Sequence, residues 1–195
     1  MTAKTTYLYE FLSLIGEHFA THDSCIADQL SKTLQTQDLE RRTAVTPTGF
    51  DTTEVHTILS ACQNTALQKL ARFEPQLPWR SAGFGKLPIS YRKSIAVIEF
   101  IGPDGIFEMD AIRIGLLVQS AGITYPTHWH AAEELYFILD GTAHWSTDDH
   151  VPRPRPPGDF IHHHSMQPHC VTTIAEPLVA MWGWSGDVDG SSYSL

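Results

Sequence analysis

The first third of the chain carries apolar residues with the spacing of an α-helix. Between residues 5 and 20 they recur every three to four positions, which indicates an amphipathic helix. The segment from Ser24 to Thr36 predicts a second, weaker helix. Asp51 followed by Glu54 predicts the N-cap and first turn of a third helix, which we expect to end before Pro75.

The periodicity changes after residues 74–88, a segment that is rich in proline and glycine. Short apolar runs then alternate with turn residues, a pattern typical of β-strands. The pattern predicts strands over Ser94 to Phe100, Phe107 to Gln119, Glu134 to Leu139, Thr142 to Ser146, Phe160 to His164, Val171 to Ile174 and Leu178 to Trp184. We therefore expect a mainly β protein, with a jelly-roll barrel over residues 81–195 and an N-terminal helical segment, residues 1–80, packed on an outer face of the barrel.

Composition and charge narrow the function classes. The net charge of -9 argues against a general nucleic-acid binder, because phosphate recognition needs clustered Lys and Arg. No apolar run approaches the roughly 18 residues of a membrane span, and no signal peptide is evident. Three widely spaced cysteines match no Cys-x-x-Cys pattern, so we expect a reduced, cytoplasmic setting.

Histidines are concentrated in the predicted β region. Eight of the eleven lie between His128 and His169. The segment from Gly122 to Gly141 reads G-x5-H-x-H-x3-E-x6-G, with His128, His130 and Glu134 at the polar positions. This spacing resembles the first signature of the cupin superfamily, whose fold is a double-stranded β-helix. Two imidazoles and a carboxylate suit a divalent first-row metal ion.

Alternation along the strand that follows these histidines predicts which side chains face inward. Glu134, Tyr136 and Ile138 share one face, which we expect to line the barrel interior. The apolar residues between them, Leu135, Phe137 and Leu139, are expected to pack outward against another layer.

A second cupin-like motif begins at Gly158 and keeps the spacing G-x5-P-x-G-x2-H. His164 stands at the usual proline position and Met166 at the usual glycine position, and the spacing selects His169 as a third imidazole ligand. We expect the run His162-His163-His164 to lie on a strand or turn surface rather than around the metal, although a His-rich tract can bind metal itself.

Aromatic residues near these motifs are candidates for substrate chemistry. Tyr136 shares a strand face with Glu134, and Tyr125 precedes the histidines, so both phenols are expected near the metal. Trp129, Trp182 and Trp184 are candidates for an aromatic site that binds an onium cation through cation–π contacts, although tryptophans are also common core residues.

These residues together resemble the cupin-type dimethylsulfoniopropionate (DMSP) lyases. The resemblance rests on Tyr125-Pro126-Thr127-His128-Trp129-His130-Ala131-Ala132-Glu133-Glu134-Leu135-Tyr136, on Pro168-His169 and on Met181-Trp182-Gly183-Trp184-Ser185-Gly186-Asp187. It covers roughly residues 120–186 and says little about residues 1–80.

The resemblance implies cleavage of DMSP, a zwitterionic sulfonium carboxylate, to dimethyl sulfide and acrylate by β-elimination. It implies metal ligation by His130, Glu134 and His169, with His128 as a ligand or a close neighbour. Tyr136 is implied as the general base, with Tyr125 and Trp184 as substrate contacts. Zn, Fe(II), Mn and Co all suit the mixed nitrogen and oxygen ligands as one divalent transition metal ion.

Two other function classes use the same residues. A non-haem iron cupin oxygenase needs Fe(II) and oxygen, whereas the lyase reaction involves no redox change. A non-enzymatic cupin that senses a metal or ligand binds without turnover, whereas a lyase releases a volatile thioether. The sequence leaves the native metal and the oligomeric state open.

Overall fold

The computed structural model describes residues 3–36, 39, 49–148 and 150–195. Its α-helices all precede the barrel strands. They are α1 (Ala3–Phe19), α2 (Cys25–Gln35), α3 (Thr53–Ala61) and α4 (Thr65–Ala71). No helix in these described ranges has both the length and the apolar character that crossing a membrane requires.

The strands follow from Arg80 to Gly186. They are β1 (Arg80–Ser81), β2 (Ile95–Gly102), β3 (Phe107–Glu108), β4 (Arg113–Gln119), β5 (Thr124–His128), β6 (Ala132–Asp140), β7 (Ala143–Thr147), β8 (Arg153–Arg155), β9 (Phe160–His163), β10 (His169–Thr173) and β11 (Leu178–Gly186). The larger sheet has the order β1-β2-β4-β11-β6-β9, with β3 beside β2, and the smaller sheet has the order β5-β10-β7-β8.

The two sheets enclose one apolar interior. Val97, Leu117 and Ile138 of the larger sheet belong to the same buried cluster as Trp145 and Val171 of the smaller sheet. Such packing between two mainly antiparallel sheets is that of a jelly-roll barrel. The expectation of a mainly β, cupin-like barrel is therefore confirmed.

A second core lies between the helices and the outer face of the larger sheet. Leu135, Phe137 and Leu139 of β6 belong to this core together with the apolar faces of the helices. A Cβ on Gly183 of β11 would lie 2.3 Å from Cδ2 of Leu30, so a larger residue there would force the Leu30 side chain of α2 to move. The predicted outward face of β6 is confirmed, and the helices pack against this face of the larger sheet.

The third predicted helix is two helices. The Asn64 side chain accepts hydrogen bonds from the backbone N–H groups of Ala66 and Leu67, and this capping begins a new helix, α4. The predicted Asp51 N-cap is wrong by one position, because Thr52 occupies the N-cap of α3 while the Asp51 side chain accepts from the N–H of Thr53.

The predicted strand from Phe107 to Gln119 is also divided. Its first residues, β3, run parallel to the end of β2, whereas β4 runs antiparallel to β2. The chain must reverse between these strands, so it cannot remain extended. The short strands β1 and β8 were missed, because two or three residues carry no readable alternation. The division into two domains stays a prediction, although the first barrel strand begins at Arg80, beside the predicted boundary.

Candidate metal centre

Strand pairing brings the two histidine motifs together inside the barrel. In the smaller sheet, His169 of β10 lies opposite His128 of β5. Glu134 comes from β6 in the larger sheet, and His130 lies in the short connection between β5 and β6. All four side chains are buried. The site therefore lies between the two sheets.

His130, Glu134 and His169 form a compact group of ligand atoms. One ligand atom from each lies within 4.8 Å of the others. Nε2 of His130 is 3.1 Å and Nε2 of His169 is 3.3 Å from the same carboxylate oxygen, Oε2 of Glu134. The His128 ring lies beside this group, with its centroid 4.1 Å from that of His169.

Backbone carbonyls fix which imidazole nitrogen faces the centre. Nδ1 of His130 donates to the carbonyl of Ala132 at 3.0 Å, and Nδ1 of His169 donates to the carbonyl of Gln167 at 2.9 Å. Since a carbonyl only accepts, each Nδ1 carries a hydrogen, and each ring turns its Nε2 toward Glu134. This is the arrangement that orients metal-ligating histidines in proteins.

The group fits a divalent cation. Nε2 of His169 is buried with no hydrogen-bond partner among the described residues, and a cation bound beside Glu134 would satisfy it. One carboxylate and two imidazoles are ligands that zinc, iron, cobalt and manganese accept.

The charge states of the site favour cation binding. Burial opposes ionisation of Glu134, but the neighbouring His130 and His169 hold its pKa well below the ordinary value. Burial, together with His169, lowers the pKa of His128 well below the ordinary value. The site therefore presents an ionised carboxylate and, at His128, a neutral imidazole at neutral pH.

Two tryptophans of β11 line the same cavity as the centre. Trp184 lies opposite Glu134 in the strand register, and its indole N–H donates to Oε1 of Glu134 at 2.7 Å. Trp182 lies opposite Tyr136, and its indole N–H is buried without a hydrogen-bond partner among the described residues. Trp184 therefore holds the carboxylate, while Trp182 retains a free donor.

The two candidate tyrosines are both in the cavity lining. Burial and the Glu134 carboxylate raise the pKa of Tyr136 well above its ordinary value. Tyr125 stacks on His128 with ring centroids 4.1 Å apart, and burial raises its pKa. Both are neutral phenols in the protein alone.

Sequence reasoning missed Phe84, Tyr193 and Arg80, which also line the cavity. The hydroxyl of Tyr193 donates to that of Tyr125 at 3.0 Å, and Phe84 packs against Trp184. Arg80 belongs to β1, Phe84 to the loop after it and Tyr193 to the C-terminal segment, all outside the motifs, and no local pattern marks them.

Phe84 is held over the cavity by an unusual backbone. Its φ is 49°, and Gly83 and Gly85 on either side have φ of 73° and 81°. A non-glycine residue in the left-handed region is uncommon and stores strain. The flanking glycines adopt that region without cost, so they allow the loop to place this ring at the cavity.

The structure does not bring Trp129 into the cavity. His128 and His130 both point inward, and Trp129 between them is absent from the lining. Its backbone instead pairs with Ser194, which ties the C-terminal segment to the barrel.

The expectation that His162, His163 and His164 all lie on the surface is wrong for His163. His163 lies opposite Glu134 on the inner face of β9 and is fully buried. Its ring stacks on His169 with centroids 4.0 Å apart, and its Nε2 accepts a hydrogen bond from the indole of Trp145 at 3.1 Å. It supports the ring of His169.

The unusual residues of the second motif preserve its backbone shape. Met166 has φ of 62°, the left-handed conformation that suits the glycine usual at this position. Its backbone N–H donates to the carbonyl of His130 at 2.8 Å, while His164 is exposed. The motif therefore still joins the two ligand segments.

A double-sheet barrel with this histidine and glutamate group in its interior places the protein in the cupin class. The chain belongs to the dimethylsulfoniopropionate lyase family, because the family model matches residues 22–180.

Individual relatives agree with this family. The chain is 37% identical over 112 residues to the dimethylsulfoniopropionate lyase DddQ of Ruegeria pomeroyi. That alignment covers 57% of this chain and 56% of the relative, so the chain matches little more than half of that protein's length. The crystal structure of DddQ from Ruegeria pomeroyi superposes with a TM-score of 0.78 at 25% identity over 97% of this chain and 96% of that chain.

A second solved structure, described as being of the DMSP lyases RdDddP and RnDddQII, superposes with a TM-score of 0.75 at 20% identity. It covers 98% of each chain. At this identity the likeness concerns the fold alone.

Proposed function

We propose that this protein is a metal-dependent lyase that cleaves DMSP to dimethyl sulfide and acrylate by β-elimination. The observation that carries the proposal is the position of Tyr136, two residues from Glu134 on the inner face of β6 and in the same cavity lining as His130. Family membership and the printed activity of the R. pomeroyi relative support the choice of substrate.

His130, Glu134 and His169 are the proposed metal ligands, with His128 as a further ligand or a close neighbour. A bound divalent cation supplies positive charge that favours the Tyr136 phenolate and offsets negative charge developing at the substrate carboxylate. Oε1 of Glu134 accepts a hydrogen bond from the indole of Trp184. Oε2, which faces the imidazoles, is therefore the oxygen proposed to bind the metal.

Tyr136 is the proposed general base. Its phenolate removes a proton from the carbon beside the substrate carboxylate, and the electron pair forms the double bond of acrylate as the bond to sulfur breaks. The sulfonium leaves as neutral dimethyl sulfide, so no oxidant or reductant is consumed. A base that must act near neutral pH requires a lowered pKa, since burial alone keeps Tyr136 protonated.

The aromatic lining suits the cationic end of the substrate. Trp182, Trp184 and Phe84 surround one side of the cavity, and a sulfonium carries no hydrogen to donate. Contact with indole faces stabilises such a cation by about 0.5–2 kcal/mol. Tyr125 and Trp182 are further proposed polar contacts, because both belong to the lining and carry a hydroxyl or an N–H group.

Headspace gas analysis of the purified protein with DMSP tests this function. The protein is freed of metal, reconstituted with zinc and assayed without oxygen. We expect dimethyl sulfide and acrylate in equal amounts. Activity that requires Fe(II) and oxygen indicates the oxygenase instead, and binding of DMSP without product by every reconstituted form indicates the sensor.

A further inference from the structure

A second group of metal-ligand side chains lies on the outer face of the barrel. Glu133, His162 and His164 each offer one ligand atom, and these atoms lie within 4.8 Å of one another. Oε1 of Glu133 is 2.6 Å from Nε2 of His162, and the rings of His162 and His164 have centroids 4.8 Å apart. The group is partly accessible to solvent.

Strand register explains why this group is separate from the interior centre. Glu134 of β6 lies opposite His163 of β9, and both face inward. Because side chains alternate along a strand, Glu133, His162 and His164 all face outward at the same end of the two strands. The thickness of the larger sheet separates the two groups.

A simple ion pair does not account for the whole group. Glu133 and His162 satisfy each other across the strands. Alternation also brings the imidazole of His164 to the same face, two residues further along. Two imidazoles and a carboxylate form a donor set for a divalent transition metal ion such as zinc.

The surroundings favour a cation at this position. The chain carries a net charge of -9, which raises the local concentration of cations. His22, at the turn between α1 and α2, lies next to the group, with its ring centroid 6.4 Å from that of His162. Its Nδ1 is paired with the hydroxyl of Ser24, which leaves Nε2 as its remaining nitrogen. His22 is therefore a neighbour that can add a fourth ligand, a third imidazole.

We propose that Glu133, His162 and His164 form a second divalent transition metal site, which we call the outer site. A metal ion there joins β6 to the edge strand β9, so its binding stabilises the barrel by mass action. The proposal does not depend on the lyase activity, because its readout is bound metal.

The experiment measures zinc bound per chain by equilibrium dialysis of metal-free protein at micromolar free zinc. We expect two equivalents in the wild type, and one in His162→Ala and in His164→Ala. His150→Ala, which removes another exposed histidine, should retain two. His169→Ala, which disrupts only the interior centre, should retain one, the ion in the outer site.

Folding is checked for each variant by circular dichroism, since partly exposed side chains are expected to be replaceable. Zinc should also raise the melting temperature of His169→Ala protein, and the added change His164→Ala should abolish that rise. One equivalent in the wild type, or an unchanged stoichiometry in both His162→Ala and His164→Ala, overturns the outer site and leaves an ordinary ion pair.

Discussion

The indole N–H of Trp184 donates a hydrogen bond to Oε1 of Glu134 at 2.7 Å, across the register of β11 and β6. The same indole ring packs against His130, with centroids 4.1 Å apart. One side chain thus positions two of the proposed ligands. This contact gives Trp184 a role besides the proposed cation contact.

Trp184→Phe keeps an aromatic ring but removes the hydrogen bond to Glu134. We expect metal affinity to fall by about 10–100-fold, the usual effect of losing an outer hydrogen bond to a ligand. Competition with a chromophoric chelator measures the metal affinity of each variant. Trp182→Phe is the control, because its N–H has no partner among the described residues. If metal affinity holds while only substrate affinity falls, Trp184 acts as the cation contact instead.

Single replacement of His130, Glu134 or His169 by alanine should lower bound metal, since each change removes one proposed ligand. The measurement is metal content at the interior centre, made in a His164→Ala background so that the outer site does not contribute. His56→Ala, at an exposed position of α3, serves as the matched histidine control. Full occupancy of the centre in all three variants excludes this ligand set.

Tyr136→Phe preserves ring packing and deletes the proposed base. We expect release of dimethyl sulfide to fall by about 10²–10⁴-fold, the usual contribution of general base catalysis, while the fold and most of the metal are retained. Exchange of substrate protons in heavy water gives an independent measure of proton removal. A metal-loaded Tyr136→Phe protein with near wild-type activity makes Tyr125 the next candidate.

His163→Leu tests the support of His169. The change leaves the indole N–H of Trp145 buried without its acceptor, which should cost about 1–3 kcal/mol of unfolding free energy. Denaturant unfolding of metal-free protein measures this cost. Adding Trp145→Phe removes the unsatisfied donor and should restore part of the stability. Purely additive losses in the double variant would contradict this role for the hydrogen bond.

Tyr7 should contribute to alkaline unfolding. Burial, with a smaller effect of Glu10, raises its pKa from 10.0 to about 12, and its hydroxyl donates to the carbonyl of Ala66 in α4. The folded state keeps this proton where the unfolded chain loses it. The raised pKa of Tyr7 therefore adds its full contribution to the free energy of unfolding below pH 10, and this contribution is lost as the pH rises through 12.

We expect the raised pKa of Tyr7 to contribute about 1 kcal/mol to the free energy of unfolding, because solvent screens a half-buried hydroxyl. Unfolding free energies of the wild type and Tyr7→Phe, compared between pH 9 and pH 12, isolate it from the other tyrosines. The difference between the two proteins should shrink with rising pH. A constant difference across this range is inconsistent with the raised pKa.

The sequence by itself determined the periodicity of apolar residues in each segment and the spacing of the proposed metal ligands. Amphipathic repeats placed α1 and α2, and alternation separated the two faces of β6 correctly. His130 and Glu134 lie within one short motif, so their closeness follows from local geometry. The resemblance to DMSP lyases was likewise carried by three short segments, each readable on its own.

Tertiary structure alone decided contacts between distant segments. Because side chains alternate along a strand, His163 must face away from His162 and His164. Only the pairing of β9 with β6 shows that His163 is the residue that faces the barrel interior. The positions of Phe84 and Tyr193 in the cavity depend on loop paths and side-chain packing that no local pattern encodes. Periodicity reports the conformation of a segment, whereas its partners are chosen by the free energy of burying its faces against the rest of the chain.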